Sequence, residues 1–358
     1  MQSLSTCLCL GLGDKPVGMS RLGERRCAAG YLKSALKETA VSRADTPSWK
    51  GTGMQSLSFE GQVAIVTGAG GGLGRAHALA LARRGARVLV NDVGGPLDGH
   101  GTSLGAAQAV VDEIQALGGQ ALANSASVTD FAAVQAMVQQ AVQAWGRVDI
   151  LINNAGILRD KSFANMALED FRQVMEVHLM GAVHCCKAVW PQMQAQNYGR
   201  IVMTTSSSGL YGNFGQSNYG AAKMAQVGLM QTLALEGAKY HIHVNALAPT
   251  AATRMTQGLM PPQALAALQP EAVVPAMLVL AHASAPTRTI LCAGAGSFEA
   301  AHITLTQGIY VGCEADAPEL LAQQLQAVLQ RAGEHVPQEG WEQAKLEVGK
   351  AMAASARR

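Results

Sequence analysis

The stretch Gly61–Arg75, reading GQVAIVTGAGGGLGR, constrains the fold more than any other part of the chain. Val63–Thr67 has the apolar, β-branched character of a short buried strand. Glycines follow at 68, 70, 71, 72 and 74, and an Ala/Leu-rich helical pattern runs from Ala76 to Arg84. Strand, glycine turn and helix together form a seat for a pyrophosphate. Glycines let backbone N–H groups come close to a ligand, and a helix N-terminus offers unpaired donors and a positive dipole end.

Strand and helix patterns then alternate. Strands are expected at Val63–Thr67, Arg87–Asn91, Ala121–Asn124, Ile150–Asn153, Arg200–Thr205, Ile242–Ala248 and Thr289–Cys292. Helices are expected at Ser103–Leu117 (capped by Thr102 or Ser103), Phe131–Trp145, Ala167–Asn197, Ala221–Lys239 and Pro270–His282. This alternation predicts an α/β fold: a Rossmann-type, doubly wound parallel sheet of about seven strands with helices on both faces. Long turn-rich loops at Gly94–Gly101 and Pro249–Gln269 follow the second and sixth strands, where such folds place ligands. Beyond residue 300 the pattern weakens. A strand at Thr304–Gly312 and helices at Pro318–Arg331 and Trp341–Ala354 would make residues 301–358 a helical extension, a packing or dimer element.

Residues 1–53 look foreign to this pattern. They hold 8 Lys/Arg and 4 Asp/Glu, a net of +4, whereas the remaining 19 and 21 give −2. Met54–Ser58 repeats the first five residues, MQSLS, so the expectation is a disordered leader and a domain of residues 54–300 beginning near Met54. Leu8–Leu12 is too short for a secretory signal. The near-neutral body gives no electrostatic case for nucleic acid. No apolar run approaches the ~18 residues of a membrane span. Seven scattered cysteines without paired CxxC units point to free thiols in a reducing compartment and to no metal site. The expected location is the cytoplasm, with an organellar matrix as the alternative.

Asp92 follows the second strand, 18 residues after Gly74. A carboxylate there would accept the hydroxyls of an adenosine ribose and repel a 2′-phosphate, which favours NAD over NADP. Arg75 is the one nearby cation that could argue for NADP. Asn153–Gly156, NNAG, closes the fourth strand and suits a tight turn. In Tyr219–Lys223, YGAAK, an i,i+4 spacing puts the ammonium beside the phenol. A phenol of pKa ~10 is a poor base at neutral pH, and a neighbouring cation favours its phenolate. Ser206 stands 13 residues before Tyr219, with Ser207 and Ser208 as rivals. No GxSxG elbow surrounds them, which disfavours an acyl-enzyme serine.

Together, the glycine turn, Asp92, NNAG, Ser206, YxxxK and Asn245-x3-Pro249 resemble the short-chain dehydrogenase/reductase family across residues 58–295. The resemblance implies roles. Gly68, Gly72, Leu73 and Gly74 would line the pyrophosphate. Asp92 would hold the adenosine ribose, and Ser127-Val128 stands where Asp-Val usually lies beside adenine. Asn154, Ala155 and Gly156 would approach the ribose, and Pro249 and Thr250 would border the nicotinamide. Ser206, Tyr219 and Lys223 would be the catalytic set, with Tyr219 and Lys223 also touching the cofactor. Two positions depart from the pattern. His178, in Val177–Leu179, stands where many members carry a helix Asn that anchors a water, and Thr250 replaces the usual Gly.

Longer matches resemble the (3R)-hydroxyacyl-CoA dehydrogenase unit of peroxisomal multifunctional enzymes of type 2. They are residues 67–76, 91–95, 153–160 (NNAGILRD), 177–181, 211–219 (YGNFGQSNY), 254–257 and 293–296. The resemblance implies NAD-dependent oxidation of a 3-hydroxyacyl-CoA, and a homodimer pairing through the helices near 167–197 and 221–239. The alternatives are an NADPH-dependent 3-oxoacyl reductase and a non-catalytic dinucleotide-binding module. The walls for an acyl-CoA-like substrate would come from Leu158–Met166, Leu210–Gln216 and Ala251–Pro262, which carry Phe163, Tyr211, Phe214 and few cations beyond Arg159, Lys161 and Arg254.

Overall fold

The computed structural model describes residues 56–94, 104–252 and 266–356. The expected leader, the cap at Thr102 or Ser103, the matching residues 254–257 and most of the wall Ala251–Pro262 lie outside the described residues.

The first unit is β1 (Val63–Thr67), a turn and α1 (Gly72–Ala82). There follow β2 (Arg87–Asn91), α2 (Gly105–Ala116), β3 (Gln120–Asn124), α3 (Phe131–Trp145) and β4 (Ile150–Asn153). The second half holds α4 (Leu168–Met175), α5 (Gly181–Gln196), β5 (Gly199–Thr204), α6 (Ser207–Tyr211), α7 (Ser217–Gly237) and β6 (Ile242–Thr250). It closes with α8 (Val274–Ala281), β7 (Ile290–Gly294) and β8 (Ser297–Ala301).

The strands form one sheet of order β3-β2-β1-β4-β5-β6-β7-β8. All pairings are parallel except β7 with β8. The alternation of side chains along a strand explains why these runs are apolar throughout. Ala64 and Val66 of β1 join a core with α1, α2 and α8, while Val63 and Ile65 point to a second core with α3, α5 and α7. Each fully buried Val or Ile contributes about 1.5–3 kcal/mol relative to exposure. Strand order reverses between β1 and β4, and that switch point opens a crevice at the strand C-termini.

Several expectations are corrected. The sheet has eight strands, because the segment after Gly296 turns back as the antiparallel β8. Residues 304–312 form no strand; Leu305 makes a single bridge with His335. The helix expected at Ala167–Asn197 is broken into α4 and α5 by a π turn at Glu176–Met180, centred on His178. α7 starts at Ser217, four residues earlier than the pattern indicated. The helix expected at 318–331 is two short pieces, α9 (Ala317–Gln323) and α10 (Leu325–Val328); α11 spans Trp341–Ser355. No described residue beyond Ala301 is buried, since this segment has too few apolar partners for a core of its own. No helix among the described residues is long and apolar enough to cross a membrane.

Candidate active site

The turn after β1, the first residue after β2 and the turn after β4 are joined by hydrogen bonds at the crevice. Gly68 has φ +62°, a conformation open to glycine at little cost. A Cβ on Gly74 would lie 2.3 Å from the Gly68 carbonyl oxygen, so only glycine lets α1 start against the turn. The helix start carries no side-chain cap. The first amides of a helix lack intrahelical acceptors, and this start, with Gly68, Gly72, Leu73 and Gly74, fits an anionic pyrophosphate.

Asp92 lies at the mouth of this turn. Its carboxylate accepts from the Gly70 N–H at 2.8 Å and from the Gly94 N–H at 2.7 Å. A Cβ on Gly70 would come within 2.8 Å of its carboxyl carbon. Arg75 does not approach Asp92 as a partner. Its guanidinium donates to both Glu113 oxygens of α2, at 2.6–3.0 Å.

Asn154 stitches the β4 loop to the β1 loop. Its Nδ2 donates to the Thr67 and Gly68 carbonyls, each at 3.0 Å. The Thr67 hydroxyl accepts from the Asn154 and Ala155 amides, each at 3.1 Å. Gly156 is held against His178: a Cβ there would lie 2.2 Å from the ring. Ser127 uses its hydroxyl locally, 2.8 Å from that of Thr129. Val128 is buried and takes the His184 ring N–H on its carbonyl at 2.8 Å. Pro249 and Thr250 end β6 in register with Ala293 and Gly294.

Ser206 caps α6, its Oγ accepting from the Ser208 N–H at 3.2 Å. Tyr219 and Lys223 sit one turn apart on α7, as the spacing required. Burial pushes the Tyr219 phenol above its ordinary pKa, a hydrogen bond with Ser206 draws it down, and the charge of Asp160 raises it. Lys223 is 2% exposed. Its Nζ donates to the Thr204 carbonyl at 2.5 Å, and burial lowers its pKa to about 7. The cation expected to favour phenolate is therefore itself held toward neutrality.

His178 packs edge-on to the Tyr219 ring, centroids 5.1 Å apart. Its Nε2 lies 2.8 Å from the Ile157 carbonyl, and its own carbonyl accepts from Gln226 Nε2 at 2.7 Å. Burial, then the charge of Lys223, holds its pKa well below the ordinary imidazole value. His178 Nδ1, Thr204 Oγ1 and Gln226 Oε1 are buried with no hydrogen-bond partner among the described residues. His178 is marked in the sequence as a departure from the family pattern, whereas Thr204 and Gln226 are not.

Of the expected substrate walls, Phe163, Tyr211 and Phe214 are exposed. Arg159 pairs with Asp170 at 3.0 Å, and Lys161 lies 4.0 Å from the same carboxylate. Gln216 and Asp160, bonded at 2.6 Å, complete this rim; both fall in the matched stretches 211–219 and 153–160, but nothing in the sequence pairs them. Among the described residues, no group of three or more acidic, His or Cys side chains could hold a metal.

The family model described as short chain dehydrogenase matches residues 62–264. The chain is 53% identical over 229 residues to the peroxisomal hydratase-dehydrogenase-epimerase of Saccharomyces cerevisiae, covering 64% of this chain and 25% of that protein. Full-length peroxisomal multifunctional enzyme type 2 from Drosophila melanogaster superposes with a TM-score of 0.69 at 35% identity, covering 83% of this chain and 50% of that one. A 7α-hydroxysteroid dehydrogenase complexed with NADH and 7-oxo glycochenodeoxycholic acid superposes with a TM-score of 0.61 at 32% identity, covering 67% and 96%. This chain thus spans a quarter to a half of the two multifunctional relatives.

Proposed function

From the premise that the chain belongs to the short-chain dehydrogenase family, and is thus an oxidoreductase using a nicotinamide dinucleotide, we propose that it oxidises a (3R)-hydroxyacyl-CoA to the 3-oxoacyl-CoA with NAD. The observation that carries this reading is Lys223 one turn along α7 from Tyr219, with its Nζ anchored on the carbonyl of Thr204, two residues before Ser206. The name of the Saccharomyces cerevisiae relative includes a dehydrogenase, which supports the reaction class, and the acyl-CoA substrate rests on the resemblance of residues 153–160 and 211–219. The proposal covers the dehydrogenase step alone.

Gly68, Gly72, Leu73 and Gly74 would hold the pyrophosphate and Asp92 the adenosine ribose. Ser127 and Val128 would flank the adenine. Asn154, Ala155 and Gly156 would line the ribose, and Pro249 and Thr250 the nicotinamide. When bound, the nicotinamide supplies the hydride acceptor. Ser206 holds the substrate hydroxyl oxygen, and Tyr219 removes its proton. Lys223 keeps the phenol side of the site electropositive whenever its Nζ is protonated. Asp92 opposes a 2′-phosphate. Because Arg75 is spent on Glu113, the nearby cation that argued for NADPH is already engaged.

The chain is also proposed to form a homodimer. Met180 of the π turn and Met224 and Leu235 of α7 are exposed apolar groups on the helices that would pair. The peroxisomal relatives are compatible with an organellar matrix, the alternative to the expected cytoplasm. The deciding experiment measures 3-hydroxyacyl-CoA, acyl-carrier-protein, steroid and simple alcohol substrates with NAD⁺ and NADP⁺. Preference for a hydroxyacyl-CoA with NAD⁺ is expected; a large preference for NADP⁺, or no acyl-CoA turnover, overturns the reading. A sedimentation mass of one chain removes the dimer.

A further inference from the structure

Two segments that bracket the site are stitched together just before Tyr219. Lys161 N–H donates to the Gly215 carbonyl at 2.9 Å, Gln216 Nε2 to Asp160 Oδ2 at 2.6 Å, and Asn218 Nδ2 to the Arg159 carbonyl at 3.0 Å. Three consecutive residues of the β4 loop are thus bound to the start of α7. Gln216 is the hub. Its Oε1 accepts from Ser208 Oγ at 2.7 Å and from Asn213 Nδ2 at 3.1 Å, and its backbone carbonyl accepts the Gly220 N–H at 2.7 Å. Ser208 lies two residues past Ser206, and Gln216 three before Tyr219.

We propose that Gln216, anchored by Asp160, is a positioning residue that sets the register between the Ser206 segment and the Tyr219 helix and holds the Arg159–Lys161 loop against both. This rests on the assignment of Ser206 and Tyr219 made above. The side-chain amide makes three of the four hydrogen bonds open to it, each to a different segment of the rim. Asp160 is exposed at the rim, so its bond to Gln216 contributes little to global stability. Its effect falls on geometry, where a displacement of about 1 Å costs about 100-fold in rate. Charge adds a second signature. The titratable groups bearing on Tyr219 are Asp160 from the loop, His178 from the π turn and Lys223 from its own helix; Arg159 and Lys161 beside Asp160 are turned to Asp170.

The test is a donor-reversal cycle. Gln216→Glu removes the Nε2 donor and sets two carboxylates face to face, yet can keep the bonds from Ser208 and Asn213. Asp160→Asn preserves the acceptor for Gln216. In the double variant, the amide introduced at position 160 would donate to the carboxylate introduced at position 216, and the bridge re-forms in reverse. Expected results are a kcat lowered about 10- to 100-fold in Gln216→Glu, with NADH affinity unchanged by fluorescence titration. Asp160→Asn should stay within about threefold of the unaltered rate and move the acidic limb of the pH profile to lower pH. The double variant should recover most of the lost kcat. A Gln216→Glu rate within about twofold of the unaltered protein, or a double variant no faster than Gln216→Glu, overturns the inference.

The unaltered protein is assayed first on the acyl-CoA panel. If it turns over none, the functional reading fails, and the cycle is then read in thermal midpoints of the same four full-length proteins. There the facing carboxylates of Gln216→Glu lower the midpoint by like-charge repulsion, so rescue by Asp160→Asn supports the juxtaposition and simple additivity overturns it.

Discussion

Lys223 Nζ lies 5.5 Å from the centre of the Tyr219 ring, and its hydrogen bond goes to the backbone carbonyl of Thr204, 2.5 Å away. The ammonium is thus stationed behind the phenol by β5 and almost wholly removed from water. Burial lowers its pKa to about 7, well below that of an unfolded lysine.

That placement has a stability consequence of definite sign. Below about pH 7 the folded protein carries a buried ammonium, and the full penalty is present. As pH rises from 7 toward the unfolded value near 10.5, the unfolded chain binds more protons than the folded one, so stability rises. Lys223→Met should abolish turnover. Its stability relative to the unaltered protein should fall by a few kcal/mol between pH 6 and pH 9. Urea titrations at both pH values check this, and a pH-independent difference would contradict it.

Tyr219→Phe removes the proposed proton acceptor while keeping the ring packed on His178. Its turnover should drop by about 100-fold or more with little change in NADH binding, whereas Ser206→Ala should lose less, because one hydrogen-bonding group rather than the base is removed. Steady-state kinetics with a hydroxyacyl-CoA distinguish the two. A Tyr219→Phe protein as fast as the original would leave a different mechanism.

Cofactor preference is expected to follow two carboxylates. Asp92→Ala should weaken NAD use and admit NADP by removing the like charge. Glu113→Gln should release Arg75, which it now binds through both oxygens, and raise NADP efficiency further, by about tenfold or less. The ratio of kcat/KM for the two cofactors is the measurement. A ratio unmoved in the double variant would remove Asp92 from the discriminating role.

His77 of α1 is fully buried, with neither ring nitrogen bonded among the described residues, and its pKa is lowered to about 4. The unfolded chain takes up this proton near pH 6.5, the folded one only near 4, so the contribution is lost as pH falls through that window. His77→Leu should flatten the acid side of the stability curve by on the order of 3 kcal/mol. Denaturant midpoints at pH 7 and pH 4.5 read this directly; an unchanged slope would show the proton is taken up elsewhere.

Much of the core and the site was legible because periodicity and spacing are local. Val63–Thr67 is uniformly apolar because both faces of β1 are covered. YxxxK put Lys223 beside Tyr219 through helix geometry alone. The π turn at Glu176–Met180 was not legible. Its residues continue a helical pattern, and the extra residue per turn is stabilised by contacts of His178 with Ile157, Gly156 and Tyr219. Likewise, nothing near Arg75 in the chain announced Glu113, which lies 38 residues away.

The sequence by itself determined the doubly wound sheet, the glycine turn, the carboxylate at Asp92 and the Tyr219–Lys223 face, since each depends on spacing along one or two adjoining elements. Only the tertiary structure decided the burial of Lys223, the engagement of Arg75 and the hub at Gln216. Those depend on how far water is excluded and on which distant groups arrive within hydrogen-bond reach. Both are set by packing between segments.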